Sequence, residues 1–324
     1  MGDRAKSASA LRTAVRASIV RGDRVVLAVS GGRDSMVLLD AVARWRRPEL
    51  CAVATFDHGT GAAARAAVEL VEVSAQSLGI PLEVGYGQGL RRTEAVWRAA
   101  RWDFLHAVAE QHDARVATAH TQDDQVETVF MRLLRGSGVR GLAGLYAVSD
   151  VARPLLGLTR AAVAEYAALH GVPFLEDPSN RSRQPLRNRV RLDHLPAFER
   201  QHPGFAAELL ALARRSALWR EDVEELASTA RPRVEGREVF ADASVLRAMP
   251  LEALRHVWPA LAARVGVVLD RRGTERAAAF TLQGMVGAWV PLAGGHELRR
   301  YAAAFALRAG PRVVSLTAPP ADDE

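Results

Sequence analysis

Ser30-Gly31-Gly32-Arg33-Asp34-Ser35 stand between an apolar run, Arg24 to Val29, and a segment with helical spacing at Met36, Val37, Leu38, Leu39, Val42 and Trp45. The order strand, glycine-rich turn, helix aims backbone N–H groups and the positive end of a helix dipole at one point, which suits a phosphate chain. The two glycines let the backbone turn sharply and approach a ligand closely. Ser30 and Ser35 add hydroxyl donors. Asp34 repels an anion, so its place in a phosphate loop implies a magnesium ion or a donor group nearby. The common P-loop is excluded, because it needs G-x-x-x-x-G-K-[ST] and Lys6 is the only lysine in the chain. The dinucleotide fingerprint G-x-G-x-x-G is also unmatched at Gly31-Gly32. The plain alternative is an ordinary strand-to-helix turn.

The second constellation is His120-Thr121-Gln122-Asp123-Asp124-Gln125-Val126-Glu127-Thr128. With a helix starting near Asp123, Asp124 and Glu127 fall at i and i+3 on one face. Acids at a helix start complement its dipole, and that reading suits Asp123. Asp124 and Glu127, pointing into the crevice of the phosphate loop, suit a magnesium ion or a cationic amine. Arg98 and Arg101 share one face of a helix over 93–111; they either face solvent or reach phosphates or a substrate carboxylate. Arg135-Gly136-Ser137-Gly138-Val139-Arg140-Gly141-Leu142-Ala143-Gly144 is a hinge or a loop cradling nucleic-acid backbone. Residues 176–181 and 187–191 interleave arginines with Asn and Ser in an irregular stretch, which suits phosphate contacts or a solvated loop.

These motifs need a frame. Strands at 24–30, 50–56, 80–84 and 115–119 alternate with helices at 34–45, 62–78, 93–111 and 123–135. That alternation implies a doubly wound parallel α/β sheet, with ligands beyond the carboxyl ends of the strands. Ser30, Asp57-His58 and His120 all fall at such ends. A last strand is expected at 151–156, a helix at 160–170 and a loop at 171–190. The chain divides into a catalytic domain 1–203, a connecting helix 204–232 and a small α+β domain 233–324. That last domain has a strand near Val239, helices near 251–265 and 274–285, a hairpin at 288–295 and a disordered tail from Thr317.

A chain of 324 residues with 49% hydrophobic and 25% charged content is globular. It lacks an apolar run for a bilayer or a signal sequence, so a cytoplasmic protein without membrane association is expected. Cys51, in an apolar strand, is the only cysteine and is expected to be buried; an intrachain disulfide, a redox pair and a cysteine-held cluster are excluded. The net charge is +6 and the pI about 10.3. An arginine excess fits nucleic acid, and a base-rich genome gives the same composition.

S-G-G-x-D-S after a strand resembles the PP-loop of the N-type ATP pyrophosphatases, which split ATP between the α and β phosphates. The full series is S-G-G-x-D-S, D-H-G, an R-x-x-R helix, H-x-x-D-D-x-x-E-T, R-G-S-G-x-x-G-L-x-G, R-P-L-L, D-P-S-N and R-N-x-x-R. Over roughly residues 20–200 it is similar to the tRNA(Ile)-lysidine synthases. The remainder resembles their short form, with one C-terminal tRNA-binding domain. After Asp57-His58-Gly59, where that family continues with Leu and Arg, this chain has Thr60-Gly61-Ala62.

The resemblance implies ligation of free L-lysine to C2 of the wobble cytidine in the CAU anticodon of tRNA(Ile), with ATP and Mg2+. It implies ATP contacts at Ser30, Gly31, Gly32, Arg33, Asp34 and Ser35, with Asp34 as the magnesium ligand. Asp34, Asp124 and Glu127 are the implied catalytic groups. Arg98, Arg101 and His120, with Asp124 and Glu127, line the implied lysine pocket. Arg135, Arg140, Arg187, Arg189 and Arg191 are the implied tRNA contacts, and a homodimer is compatible with this reading. The rivals are a PP-loop tRNA thiolase, which the lone Cys51 does not equip, and a small-molecule adenylating amidotransferase, which does not need the basic balance. A non-enzymatic RNA-binding protein would need neither Asp34 nor the acidic helix.

Overall fold

Val25-Val26-Leu27 has no polar member, the composition of a strand covered on both faces. In a computed structural model that describes residues 2–59, 61–87, 94–177, 180 and 182–310, this run lies inside a parallel sheet. The strands are β1 (Val25–Ala28), β2 (Leu50–Asp57), β3 (Leu82–Tyr86) and β4 (Arg115–Ala117), in the order β3-β2-β1-β4. The helices between them are α2 (Arg33–Trp45), α3 (Ala62–Ser77) and α4 (Glu94–Gln111), and α5 (Gln122–Leu134) follows β4. The doubly wound parallel class expected from the alternation is the class observed. The strand expected at 151–156 is reduced to one parallel bridge, Ala152 beside Ala117. Cys51 is half-buried in β2 rather than buried.

A helix α1 (Gly2–Ser18) precedes the sheet and was not anticipated. Leu11, Val15 and Ile19 stand at i, i+4 and i+8 and are wholly buried in the core that also holds α2 and Tyr166. After α5 come α6 (Val139–Leu142) and α7 (Arg160–His170). The stretch expected to be a loop up to 190 is helical from Leu186. It contains α8 (Leu186–Arg189), a π-helical turn (Val190–His194) and α9 (Leu195–Gln201). Polar composition hid this helix, because its apolar members Leu186, Val190 and Leu195 pack under α5.

The chain forms two units, Met1–Ala217 and Leu218–Glu324. The division falls inside α10 (Phe205–Thr229). Leu209, Leu210 and Ala213 belong to the core of the first unit; Val223 and Ala227 belong to that of the second. The second unit has β5 (Arg233–Glu235), β6 (Glu238–Asp242), α11 (Ala243–Ala248), α12 (Leu251–Ala263), α13 (Arg271–Gln283), β7 (Trp289–Leu292), β8 (His296–Arg300) and β9 (Ala304–Arg308). Its five strands form an antiparallel sheet, order β5-β6-β9-β8-β7, where the sequence foretold a strand and a hairpin. Trp258 is fully buried there and donates to Thr281 Oγ1 at 2.7 Å. Thr60 and the tail from 317 lie outside the described residues. Among those residues no helix is long and apolar enough to cross a membrane.

Gly85 in β3 shows how tightly the sheet is covered. A Cβ there would lie 2.7 Å from ring atoms of both Phe56 and Phe104. Gly85→Ala is expected to lower stability by about 1–3 kcal/mol through overpacking. Denaturant unfolding measures it, and a change near zero would show that the two rings yield freely.

Candidate functional site

The phosphate-loop motif turns out of β1 with Gly31 at φ +78°, and a Cβ on it would press on Ala67 at 3.0 Å. Gly32 is the N-cap of α2, and no side chain caps that helix. The first-turn N–H groups are therefore left facing outward, an anion cradle in both charge and geometry. Ser35 Oγ donates to Gly32 O at 2.8 Å and lies 3.2 Å from Ser30 Oγ, which closes the loop on itself. Leu175 N donates to Gly31 O at 3.0 Å, so the segment after α7 runs along the loop.

Asp34 meets Arg33 at 3.2 Å and Arg160 at 3.7 Å. Burial nevertheless holds its pKa above the ordinary value, outweighing both arginines. A carboxylate in that position gains from a further cation. Among the described residues no three His, Cys, Asp or Glu side chains are grouped to hold a metal. Magnesium bound with a phosphate chain needs only one or two carboxylates, so Asp34 beside an uncapped helix fits it.

Arg160 is the residue that sequence reading missed. It opens α7 after the N-cap Thr159. Its Nη2 reaches Asp124 Oδ1 at 3.1 Å and Glu127 Oε1 at 3.2 Å, and its backbone N donates to Asp123 at 2.7 Å. Arg187 donates to Asp124 at 2.9 Å and to Glu127 at 2.8 Å. Arg191 donates to Glu127 at 2.7 Å and 3.2 Å. Burial alone would raise both acids, but the arginines win and hold Asp124 and Glu127 below their ordinary values. Arg187 and Arg191, expected on the RNA surface, are thus engaged with the two acids expected to hold lysine.

The helix-cap reading and the functional reading of the acids share one residue. Asp124 Oδ2 accepts from Thr121 N at 2.8 Å and closes a capping box, while its Oδ1 faces the arginines. Asp123 serves the start of α7 instead.

His120 bonds Thr118 Oγ1 through Nδ1 at 2.8 Å. Burial lowers its pKa to about 4; Asp124 opposes this while Arg187, Arg153 and Arg101 add to it. The ring is therefore neutral at pH 7. Arg101 also acts on His58, at the end of β2. Arg98 is apart from this group: its side chain is exposed and its field falls on Arg132. Arg135 is exposed at the end of α5, Arg140 lies in α6, and Arg189 donates to Gln184 O. The glycine-rich stretch is pinned rather than hinged at its end. Fully buried Gln125 donates to Ala143 O at 2.8 Å and accepts from Leu145 N at 2.6 Å, and a Cβ on Gly144 would meet it at 2.6 Å.

A phosphate cradle after the first strand of a parallel sheet, with acids after the fourth, defines a PP-loop protein, and the PP-loop domain profile matches residues 5–198. A tRNA(Ile)-lysidine synthase of Methylobacterium nodulans is 38% identical over 259 residues, covering 75% of this chain and 75% of its own. That of Thermosynechococcus vestitus is 36% identical over 223 residues, 64% of each chain. That of Bradyrhizobium sp. is 41% identical over 207 residues, 59% of this chain and 58% of the other. The chain belongs to the tRNA(Ile)-lysidine synthase family. It spans 64% and 58% of the length of the last two relatives. The U34-tRNA thiolase NcsA from Methanococcus maripaludis, solved with its [4Fe-4S] cluster, shares the fold at TM-score 0.54 and 18% identity, over 65% of this chain and 80% of its own.

The titrating groups predict acid unfolding in two stages. Folded His120 binds its proton less readily than the unfolded chain does. Its contribution is therefore complete above its ordinary 6.5 and lost as pH falls towards about 4. The contributions of Glu127 and Asp124 are present above their ordinary 4.5 and 3.8 and are lost only as pH falls further. His120→Asn should shrink the upper stage, which His58 shares, and leave the lower one. Glu127→Gln should shrink the lower stage and cost about 3–5 kcal/mol at neutral pH, because it leaves Arg191 without its carboxylate and takes one from Arg160 and Arg187. Urea midpoints from neutral pH into the acid limb check both. A His120→Asn profile that overlays the wild type would refute the neutral buried ring.

Proposed function

We propose that this chain uses ATP to join free L-lysine to C2 of the wobble cytidine in a CAU-anticodon tRNA(Ile), releasing diphosphate and AMP. The observation that carries the reading is the pairing of an uncapped phosphate loop with a mixed-charge cluster, joined at Arg160 by contacts to Asp34, Asp124 and Glu127. Family membership supports it. An amino acid is a zwitterion, and carboxylates interleaved with guanidiniums offer a partner to each of its charges.

The first step adenylates the cytosine 2-oxygen, and diphosphate leaves. An amine of lysine then attacks C2; the C2–O2 bond breaks and AMP departs with that oxygen. In the first step Ser30, Ser35 and the first-turn N–H groups of α2 hold the phosphates. Asp34 would hold magnesium with the phosphates, and the ion would supply charge neutralisation for the departing diphosphate. In the second step Asp124 and Glu127 attract the cationic end of lysine, and one or more of Arg160, Arg187 and Arg191 takes its carboxylate. Neutral His120 offers a hydrogen bond without adding a charge to repel the amine. Arg135, Arg140 and Arg189 are the arginines assigned to the RNA backbone.

The test is ATP-dependent entry of labelled lysine into a CAU-anticodon transcript. Lysine in the RNA is the expected result. Sulfur entering instead, or diphosphate release without RNA, would overturn the reading. Asp34→Asn should cut diphosphate release by about 10²-fold or more while tRNA binding stays near wild type, and an unimpaired variant would remove Asp34 from the first step. Glu127→Gln should weaken the apparent affinity for lysine more than that for ATP.

A further inference from the structure

The two helices that begin at the site meet again deeper in the fold. Asp34 is the second residue of α2 and Arg160 the first of α7, and their side chains approach to 3.7 Å. Six residues further along each helix, the Tyr166 hydroxyl donates to Asp40 Oδ2 at 2.5 Å. Arg44, one turn on in α2, donates to the same carboxylate at 2.9 Å and 3.3 Å. Tyr166 is wholly buried, with Trp45 edge-on to its ring at 5.8 Å and His170 at 4.3 Å. Burial, and then the bond to Asp40, hold its pKa above the ordinary 10, so the hydroxyl remains a donor at neutral pH.

The equal spacing carries the argument. Two contacts set six residues apart on both helices are rungs of one ladder, about 9 Å apart along the axes. Val163, Tyr166 and Ala167 are buried in the core that α2 also lines. Apolar burial is non-directional and holds two helices together without by itself fixing how one is turned on the other. A hydroxyl–carboxylate bond is short and directional. It fixes how α7 is turned against α2, and with that where Arg160 stands at the helix start. Arg160 meets Asp34 on α2 and Asp124 and Glu127 on α5 at once, an arrangement that a small rotation of α7 would break.

We propose that Tyr166 is a positioning residue for Arg160: its hydroxyl, received by Asp40, sets the register of α7 on α2 and so holds the guanidinium against both the phosphate loop and the acids. The choice of lysine as the ligand that reports this rests on the proposed function; the positioning does not. Tyr166→Phe keeps the ring and removes the bond. It should raise the apparent KM for lysine by about tenfold through misplacement of Arg160. The KM for ATP should stay near wild type, because α2 carries the phosphate loop by itself. Asp40→Ala should act in the same way, whereas Asp40→Asn, which keeps an oxygen for the hydroxyl, should stay near wild type. In an Arg160→Gln background, Tyr166→Phe should add nothing further. If Tyr166→Phe does not fold, Asp40→Ala, at a side chain 24% exposed, carries the comparison.

Equal changes in both KM values, or effects of Tyr166→Phe and Arg160→Gln that multiply, would overturn the proposal. A tyrosine that merely stabilises the core acts on both substrates and independently of Arg160. The same pair of substitutions is read in urea with no substrate present. Sites about 9 Å apart without a shared partner ordinarily contribute additively. Here the stability lost by Arg160→Gln should shrink in the Tyr166→Phe background, and additive losses would overturn the positioning. Absent lysine incorporation by the wild type, beside non-additive losses in urea, would sink the proposed function and leave the positioning standing.

Discussion

Glu127 brings a carboxylate to the edge of a parallel sheet with its side chain 2% exposed, and three guanidiniums meet it there. Desolvation alone would drive that group to its neutral form. The arginines reverse the outcome, and in doing so they fix the positions of three segments. Arg160 ties α5 to the start of α7, and Arg187 and Arg191 tie α5 to the helix from Leu186. The same guanidinium of Arg160 approaches Asp34 in the phosphate loop, so one charge links the two motifs most legible in the sequence. Buried ion pairs recover little net stability once desolvation is counted. The strength of this cluster lies in geometry: three arginines from two further segments are held against one carboxylate.

That geometry explains an irregularity in the helix. Arg187 Nε takes Glu127 Oε2 and Arg191 Nε takes Glu127 Oε1, so two residues four apart grip opposite oxygens of one carboxylate. A π-helical turn begins at Val190, between them. Such turns recur at functional sites because they re-aim side chains without ending the helix. Val190 itself is fully buried against α5, which holds the turn in place while the arginines face the acids.

Legibility followed the range of the interaction. Strands such as β1 and helices such as α5 carry their signal in a local apolar period, and their ends were readable to within a few residues. The uncapped loop at Gly32 and the face shared by Asp124 and Glu127 were readable for the same reason. Arg160 carried no signal, because a single arginine at a helix start becomes informative only when the sheet brings Asp34, Asp124 and Glu127 around it. Arg187 and Arg191 were read as phosphate contacts because their neighbours in sequence are polar; their partners lie sixty or more residues away on α5. The helix over 186–201 was hidden likewise, since Asn188, Asp193 and Pro196, with Pro185 just before it, mask an apolar face that only packing exposes. In the second unit, the antiparallel pairing of β6 with β9 joins residues far apart in sequence, and short strands of mixed polarity do not announce such partners.

Charge is distributed unevenly between the two units, and this bears on how each would meet a polyanion. Residues 1–217 hold 29 basic and 23 acidic side chains, the whole of the net +6, whereas residues 218–324 balance 14 against 14. Long-range attraction scales with net charge and is screened by salt. An RNA would therefore be drawn chiefly by the first unit, even though three of that unit's arginines are spent on Asp124 and Glu127. A neutral unit gains contact by placement rather than by field. A partner of the second unit is then distinguished by where its groups fall against that unit's side chains and not by how much charge it carries, which is the kind of discrimination that net attraction alone never provides.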